Sequence, residues 1–211
     1  IRSSRQAAWS GSVFRKTVMM TRKFSCVEGC SDCCVYRQYY PTVAHGKIGV
    51  LLLPDEIAGV QALAREMSIN VRIVPRIATG TESPEKIIAY QMMGKNEDGD
   101  LCPFLDVEGS VRAPHGGYRC RIYNGRPLAC RAYPLVKTGK AGTLEEHCQF
   151  CKKYGTSASV TGLEQEIEAL GKIKAEVRAD KKSTHVWRYA TATGRAEHRG
   201  NLLPEGWVKE S

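Results

Sequence analysis

No apolar stretch in this 211-residue chain is long enough to cross a bilayer. The longest, Ile48 to Leu53, falls far short of the about 18 to 20 residues a span needs, and no leading hydrophobic region marks a secretory signal. The chain therefore reads as soluble and not secreted, in the cytoplasm or an organelle matrix. Signatures of common hydrolases and nucleotide enzymes are missing too. The five histidines, His45, His115, His147, His185 and His198, include no H-E-x-x-H pair, and neither a P-loop nor a G-x-S-x-G elbow occurs. Cysteine is too scarce for a disulfide scaffold. Nine of 211 residues is about 4%, against about 8 to 10% in such scaffolds, and an odd count leaves one thiol unpaired.

What remains is an ordinary globular composition, 42% hydrophobic and 25% charged, with a net charge of +9. A chain of this length buries roughly 70% of its unfolded surface, so metal is not required merely to compensate for small size. The positive field favours an acidic protein, a nucleic acid or an anionic surface as partner. No nucleic-acid motif accompanies the charge, so a larger protein complex is the expected partner and nucleic acid the alternative. Residues 1–23 carry Arg2, Arg5, Arg15, Lys16, Arg22 and Lys23 with no acidic residue, the composition of a basic extension or a presequence remnant, and we expect this arm to dock the protein.

The middle predicts an α+β fold: a small mixed domain with a loop-rich, cysteine-ligated metal region. Ile48 to Leu53 reads as a strand, and Pro54-Asp55-Glu56 opens a helix, because proline is tolerated in the first turn and acids suit its positive end. Ile57, Val60, Leu63, Ala64 and Met67 then form an apolar stripe at helical spacing. Strands are expected at Val71 to Ile77 and Lys86 to Met92, with a turn at Glu97-Asp98-Gly99-Asp100. An amphipathic C-terminal helix is expected from Gly162 to Ala179, with Leu163, Ile167, Leu170, Ile173 and Val177 on one face, and a polar tail after about Ala190. The implied organisation is a basic extension over 1–23, a cysteine-cluster domain over 24–155, and a helix and tail over 156–211.

Cys26, Cys30, Cys33 and Cys34 form a C-x3-C-x2-C-C run. Four thiols this close repel as thiolates unless a cation compensates them, which makes them candidate metal ligands. Cys33 and Cys34 are adjacent, so in extended backbone their side chains point to opposite faces and one of them serves a second site or no site. Cys120, Cys130 and the knuckle-like pair Cys148 and Cys151 complete a set of eight, sufficient for two four-thiolate sites. Cys102, opening the apolar Cys-Pro-Phe-Leu stretch, is a fair candidate for a packing role. Zinc and iron–sulfur clusters both accept four thiolates. A compact run supplemented by distant cysteines is more typical of clusters, so one or two iron–sulfur clusters, of the four-iron type, are expected, with zinc as the alternative. His147 reads as a solvated neighbour of Cys148.

In the order Cys26-x3-Cys30-x2-Cys33-Cys34, Leu101-Cys102-Pro103-Phe104-Leu105, and Cys120-Arg-Ile-Tyr123-Asn-Gly-Arg126-Pro127-Leu-Ala-Cys130-Arg131-Ala-Tyr133-Pro134, the chain resembles a cysteine-cluster family of zinc- or iron-chelating domains also found in flagellin lysine methylase. The resemblance spans Phe24 to Cys151. It implies a cysteine-ligated metal domain and no single activity, and the likeness to the methylase members stops at that domain. Within the third block, Arg126 and Arg131 place cations beside Cys130, where they would lower its pKa and offset cluster charge, and Pro127 fixes φ in the turn that presents the cysteine. C-x3-C-x2-C is also the spacing of radical enzymes that use S-adenosylmethionine. Here, however, Asp32 stands where an aromatic residue is usual, Cys34 follows at once, and the strand–helix repeat of their barrel is lacking. A conventional methyltransferase would need a glycine-rich strand-to-helix turn, and there is none. The expected role is thus a structural, redox or sensing module bound to a larger protein complex, the alternatives being a structural zinc module of a protein or RNA-containing assembly and an S-adenosylmethionine-dependent methyltransferase-related enzyme.

Overall fold

The computed structural model describes residues 22–35, 46–95, 101–177, 185–191 and 206–210. Its main body is a five-stranded antiparallel sheet, ordered β1 (Val50–Leu52), β3 (Lys86–Met92), β2 (Ile73–Gly80), β9 (His185–Ala190) and β10 (Gly206–Lys209). The expected strand at Lys86 to Met92 is found with those bounds. The strand expected from Val71 instead starts at Ile73 and runs on to Gly80, because β9 pairs with its far half through Ile77 to Gly80. Pro75 has no N–H for the ladder, and the β2–β3 register slips between Pro75 and Ile77.

Pro54–Glu56 forms a 3-10 turn that leads into helix α2 (Ile57–Glu66). Val60 and Ala64 of the predicted stripe are buried, and Leu63 and Met67 pack beside them. Together with Val50, Leu52, Met92, Phe104 and Ile122 they make the first core. Burying Leu52 and Phe104 completely, at roughly 1.5 to 3 kcal/mol per large apolar side chain, anchors the irregular 101–122 segment against the sheet. Gln91 is buried as well, and its side-chain oxygen accepts the Gly49 N–H at 2.9 Å, so no polar cost is left there.

A second core lies around the three-stranded sheet β6 (Leu135–Lys137), β7 (Gly142–Leu144) and β8 (Ser157–Ala158), joined by α4 (Gln149–Tyr154) and α5 (Glu164–Glu176). Leu163, Ile167 and Leu170 of the predicted C-terminal stripe pack here with Phe150, Cys148 and Cys151. Phe24 joins them edge-on to Phe150, with ring centroids 5.3 Å apart. Lys23 pairs with Ser159 as a parallel bridge, so the chain enters the cysteine run already fixed to this core. Among the described residues no helix is long and apolar enough to cross a membrane. Residues 1–21, the turn at 97–100 and residues 178–184 lie outside the described set.

Candidate metal centre

The cysteine run occupies a turn followed by the short helix α1 (Asp32–Val35). Gly29 sits at φ 72°, in the left-handed region that lets the chain turn back so that Cys30 N–H reaches Val27 O at 3.0 Å. A second loop clamps this turn. Gly29 N–H donates to His115 O at 2.6 Å, the His115 ring Nε2 lies 2.8 Å from Cys30 O, and Tyr118 N–H donates to Ser31 Oγ at 2.7 Å. A Cβ on Gly117 would fall inside van der Waals contact of Cys30 O and lie 2.6 Å from Ser31 Oγ, so only glycine lets the two loops approach this closely. On the other side, Asp32 accepts a hydrogen bond from Gln149 Nε2 and lies 3.9 Å from Lys152 Nζ, which ties α1 to α4.

The later cysteines arrive on short helices. Cys148 is the N-cap residue of α4 and Cys151 lies one turn on. Cys130 sits in α3 (Leu128–Ala132), whose first turn closes on Pro127 O, the acceptor for both Cys130 and Arg131 N–H. Glu56 places that helix. One of its carboxylate oxygens accepts Leu128 N–H at 2.7 Å while the other accepts Leu53 N–H at 2.8 Å, so α3 and α2 are held to the same side chain. Cys120 ends β5 (Arg119–Cys120), paired with β4 (Leu105–Asp106).

These elements link the thiols into a chain of pairwise electrostatic contacts. Cys26, Cys30, Cys33 and Cys148 feel one another electrostatically, with Cys151 beside Cys148. Cys120 is coupled to Cys130 and to Cys33, and Cys34, Cys120 and Cys130 each pack against the first core. Because Cys33 and Cys34 lie on a helical turn rather than extended backbone, their sulfurs are 3.9 Å apart instead of on opposite faces. The ninth thiol, Cys102, is buried in the first core beside Phe104, and its N–H donates to Cys34 O at 2.8 Å.

Burial and mutual repulsion raise the thiol pKa values. Cys26 is an exposed residue, yet the atoms crowding its sulfur, with Cys33, Cys30 and Cys148 adding repulsion, push it up to about 11. Cys151 is pushed up to about 11 by burial and then by Cys148. Cys30 and Cys120 are raised as well, burial being the larger cause in each. Burial also raises Tyr133, which hydrogen-bonds Cys148. A group of thiols that resist ionisation together is the donor set that a multivalent cation converts to thiolates, releasing protons as it binds. The donor chemistry of the patch therefore fits a thiophilic metal or cluster.

The two predicted arginines diverge. Arg126 acts on Cys26 and Cys120, partly offsetting the rise that burial imposes on both. It is held by its Nε–H to Tyr123 O at 2.9 Å and by stacking 3.8 Å over the Tyr123 ring. The charge of Arg131 registers at Glu168 on α5. In the metal-free protein, Arg126→Gln should slow alkylation of Cys26 and Cys120 a few-fold at fixed pH, read by mass spectrometry of iodoacetamide-labelled peptides. Equal rates in the two proteins would remove Arg126 from the site's electrostatics.

His147 lies in an exposed trio with Glu145 and Glu146, its Nδ1 2.9 Å from Glu145 Oε1. Among the described residues this is the set of three ligand-type side chains whose donor atoms all fall within 4.8 Å of one another, and no three cysteine sulfurs lie so close. His147→Ala should leave metal content unchanged by elemental analysis, and loss of metal would make the histidine a ligand. Sequence reasoning missed His115, Ser31, Gly117 and Gln149. Their contribution runs through backbone carbonyls, an amide and one carboxylate, so it leaves no spacing to read.

A family model named CxxCxxCC, described as "putative zinc- or iron-chelating domain", matches residues 25–149, well over half of the chain. No curated protein and no solved structure gives a significant match.

Proposed function

Because the chain belongs to the CxxCxxCC family of zinc- or iron-chelating domains, we propose that it is an iron–sulfur protein serving as a structural, redox or sensing module within a larger protein complex. Cys26, Cys30, Cys33 and Cys148 would hold a four-iron cluster with Cys151 at its edge. Cys34, Cys120 and Cys130 would contribute to a second site or to the same one. Arg126 would offset the negative charge of the bound group, and Cys102 would serve packing.

The observation that carries iron over zinc is the spread of the sulfurs. A tetrahedral zinc ion with bonds of about 2.3 Å draws its four sulfurs to about 3.8 Å from one another. No three cysteine sulfurs of this patch come within 4.8 Å of each other, although Cys33 Sγ and Cys34 Sγ lie 3.9 Å apart and the Cys151 thiol hydrogen-bonds that of Cys148. A cluster binds each thiolate through a different metal atom and so suits ligands that are farther apart. When bound, such a group supplies one-electron redox chemistry and oxygen sensitivity. The chain's own part is to hold the thiols, exclude water with Phe24, Phe150 and Tyr133, and tune charge with Arg126.

Anaerobic purification followed by iron, sulfide and zinc analysis and a visible spectrum tests this reading. Iron with stoichiometric sulfide, and absorbance that bleaches with dithionite, is the expected result. Colourless protein carrying one or two zinc ions would replace it with a structural zinc module.

A further inference from the structure

Between α2 and the segment that carries Cys120 lies a cleft of about 410 Å³. Its volume falls within the roughly 300 to 1,000 Å³ of ligand-binding clefts. Leu63 of α2 and Met67, just past its end, line it together with Val111, which is 54% exposed. Arg112, Arg119 and Arg121 also line it, and among the described residues no acidic side chain does. Asp106, beneath them, answers Arg121 at 3.2 Å and is held below the usual carboxylate range by the Gly109 N–H and then by Arg121, so the rim keeps an excess of positive charge. Arg112 is braced by Gly109 O at 2.6 Å and lies 5.0 Å over the Tyr118 ring, which aims a guanidinium at a fixed place.

We propose that this cleft is the docking groove for an acidic segment of a protein partner, one that lays an apolar anchor on Leu63 and Met67 and its carboxylates on the three arginines. The proposal rests on the reading above in one respect. Cys120 lines the cleft, so a partner seated there touches a thiolate of the metal patch and is placed to sense or exchange electrons with what it holds. A peptide is favoured over nucleic acid by the lining. Bases need open aromatic faces to stack on. Here Tyr123 is the one aromatic residue of the lining, Arg126 stacks over a face of its ring, and the remaining apolar wall is aliphatic.

The test is fluorescence anisotropy on the full metal-loaded chain with three labelled probes. These are a peptide pool with adjacent Leu or Phe residues flanked by glutamates, the same pool with glutamine for glutamate, and a mixed-sequence single-stranded RNA. The glutamate pool should bind saturably, and more weakly as salt rises. The variant carrying Arg112→Glu and Arg119→Glu should bind it at least about tenfold more weakly, with unchanged metal content. The milder Arg119→Gln should lie between, which guards against misfolding of the double variant. Equal binding of the glutamine pool, no effect of the charge reversals, or tighter binding of RNA through the same arginines would each overturn the proposal. Failure of the metal reading looks different: the protein would bind the acidic pool while carrying no iron.

Discussion

Cys33→Ser should empty the metal patch and unfold much of the region around it. Cys33 is the thiol that both groups share, coupled to Cys26 and Cys30 on one side and to Cys120 on the other. A structural metal contributes on the order of 10 kcal/mol, comparable to the whole stability of a small domain. The turn at 26–31 holds its shape through a few loop hydrogen bonds and has little core of its own. The five-stranded sheet has a core of its own in Val50, Leu52, Val60, Ala64 and Met92, so it should survive although Cys34, Cys120 and Cys130 border that core. Metal analysis should therefore show near-complete loss, and hydrogen exchange should show lost protection over 22–35 and 128–154 with β2 and β3 still protected. Cys102→Ala is the contrast. It should keep its metal and cost only about 1 kcal/mol, since that thiol packs in the apolar core. Full metal retention in Cys33→Ser, or metal loss in Cys102→Ala, would mean that the ligand set has been drawn wrongly.

Gly117→Ala should damage the site without touching a thiol. Its new methyl would press on Cys30 O and Ser31 Oγ, and the first of these is backbone that cannot swing aside. Overpacking of this kind costs about 1 to 3 kcal/mol. Here the displaced element is the turn that presents Cys30, so metal should leave to a chelator about tenfold faster, a difference of about 1.4 kcal/mol in retention. Gly171→Ala provides the control. Its Cβ meets nothing within 4 Å on the exposed face of α5, and alanine there should stabilise by up to about 1 kcal/mol with metal kinetics unchanged. Identical chelator kinetics in Gly117→Ala would show that the clamp between the two loops does not govern the centre.

The parts of this protein that periodicity encodes could be read directly. The stripe Val60, Leu63, Ala64, Met67 and the later stripe Leu163, Ile167, Leu170 each bury one helix face, a pattern local to the chain. The strand at Lys86–Met92 is likewise local. The chain after α5 adds β9, which no sequence pattern named, and β10, which lies in the stretch read as a polar tail after about Ala190, to the main sheet. Their residues, such as His185, Arg188 and Lys209, alternate too weakly with apolar ones to announce strands, and their pairing with β2 joins positions far apart in sequence. The cysteines were legible as a cluster because repulsion between thiolates makes such spacing improbable without a cation. That Cys148 meets Cys26 and Cys30 depends on α4 docking through Gln149 and Lys152 on Asp32. Read from sequence, Asp32 was only a departure from an aromatic pattern. In the fold it is the latch between the first cysteines and the last pair.

The most direct measurement of the central claim is X-ray absorption at the iron and zinc edges on protein purified without oxygen. The account predicts an iron edge with a sulfur shell and a second, iron–iron shell, the signature of a cluster held by thiolates of this patch, and loss of both in Cys33→Ser. A zinc edge alone, with a single sulfur shell at about 2.3 Å and no metal–metal scattering, would contradict it.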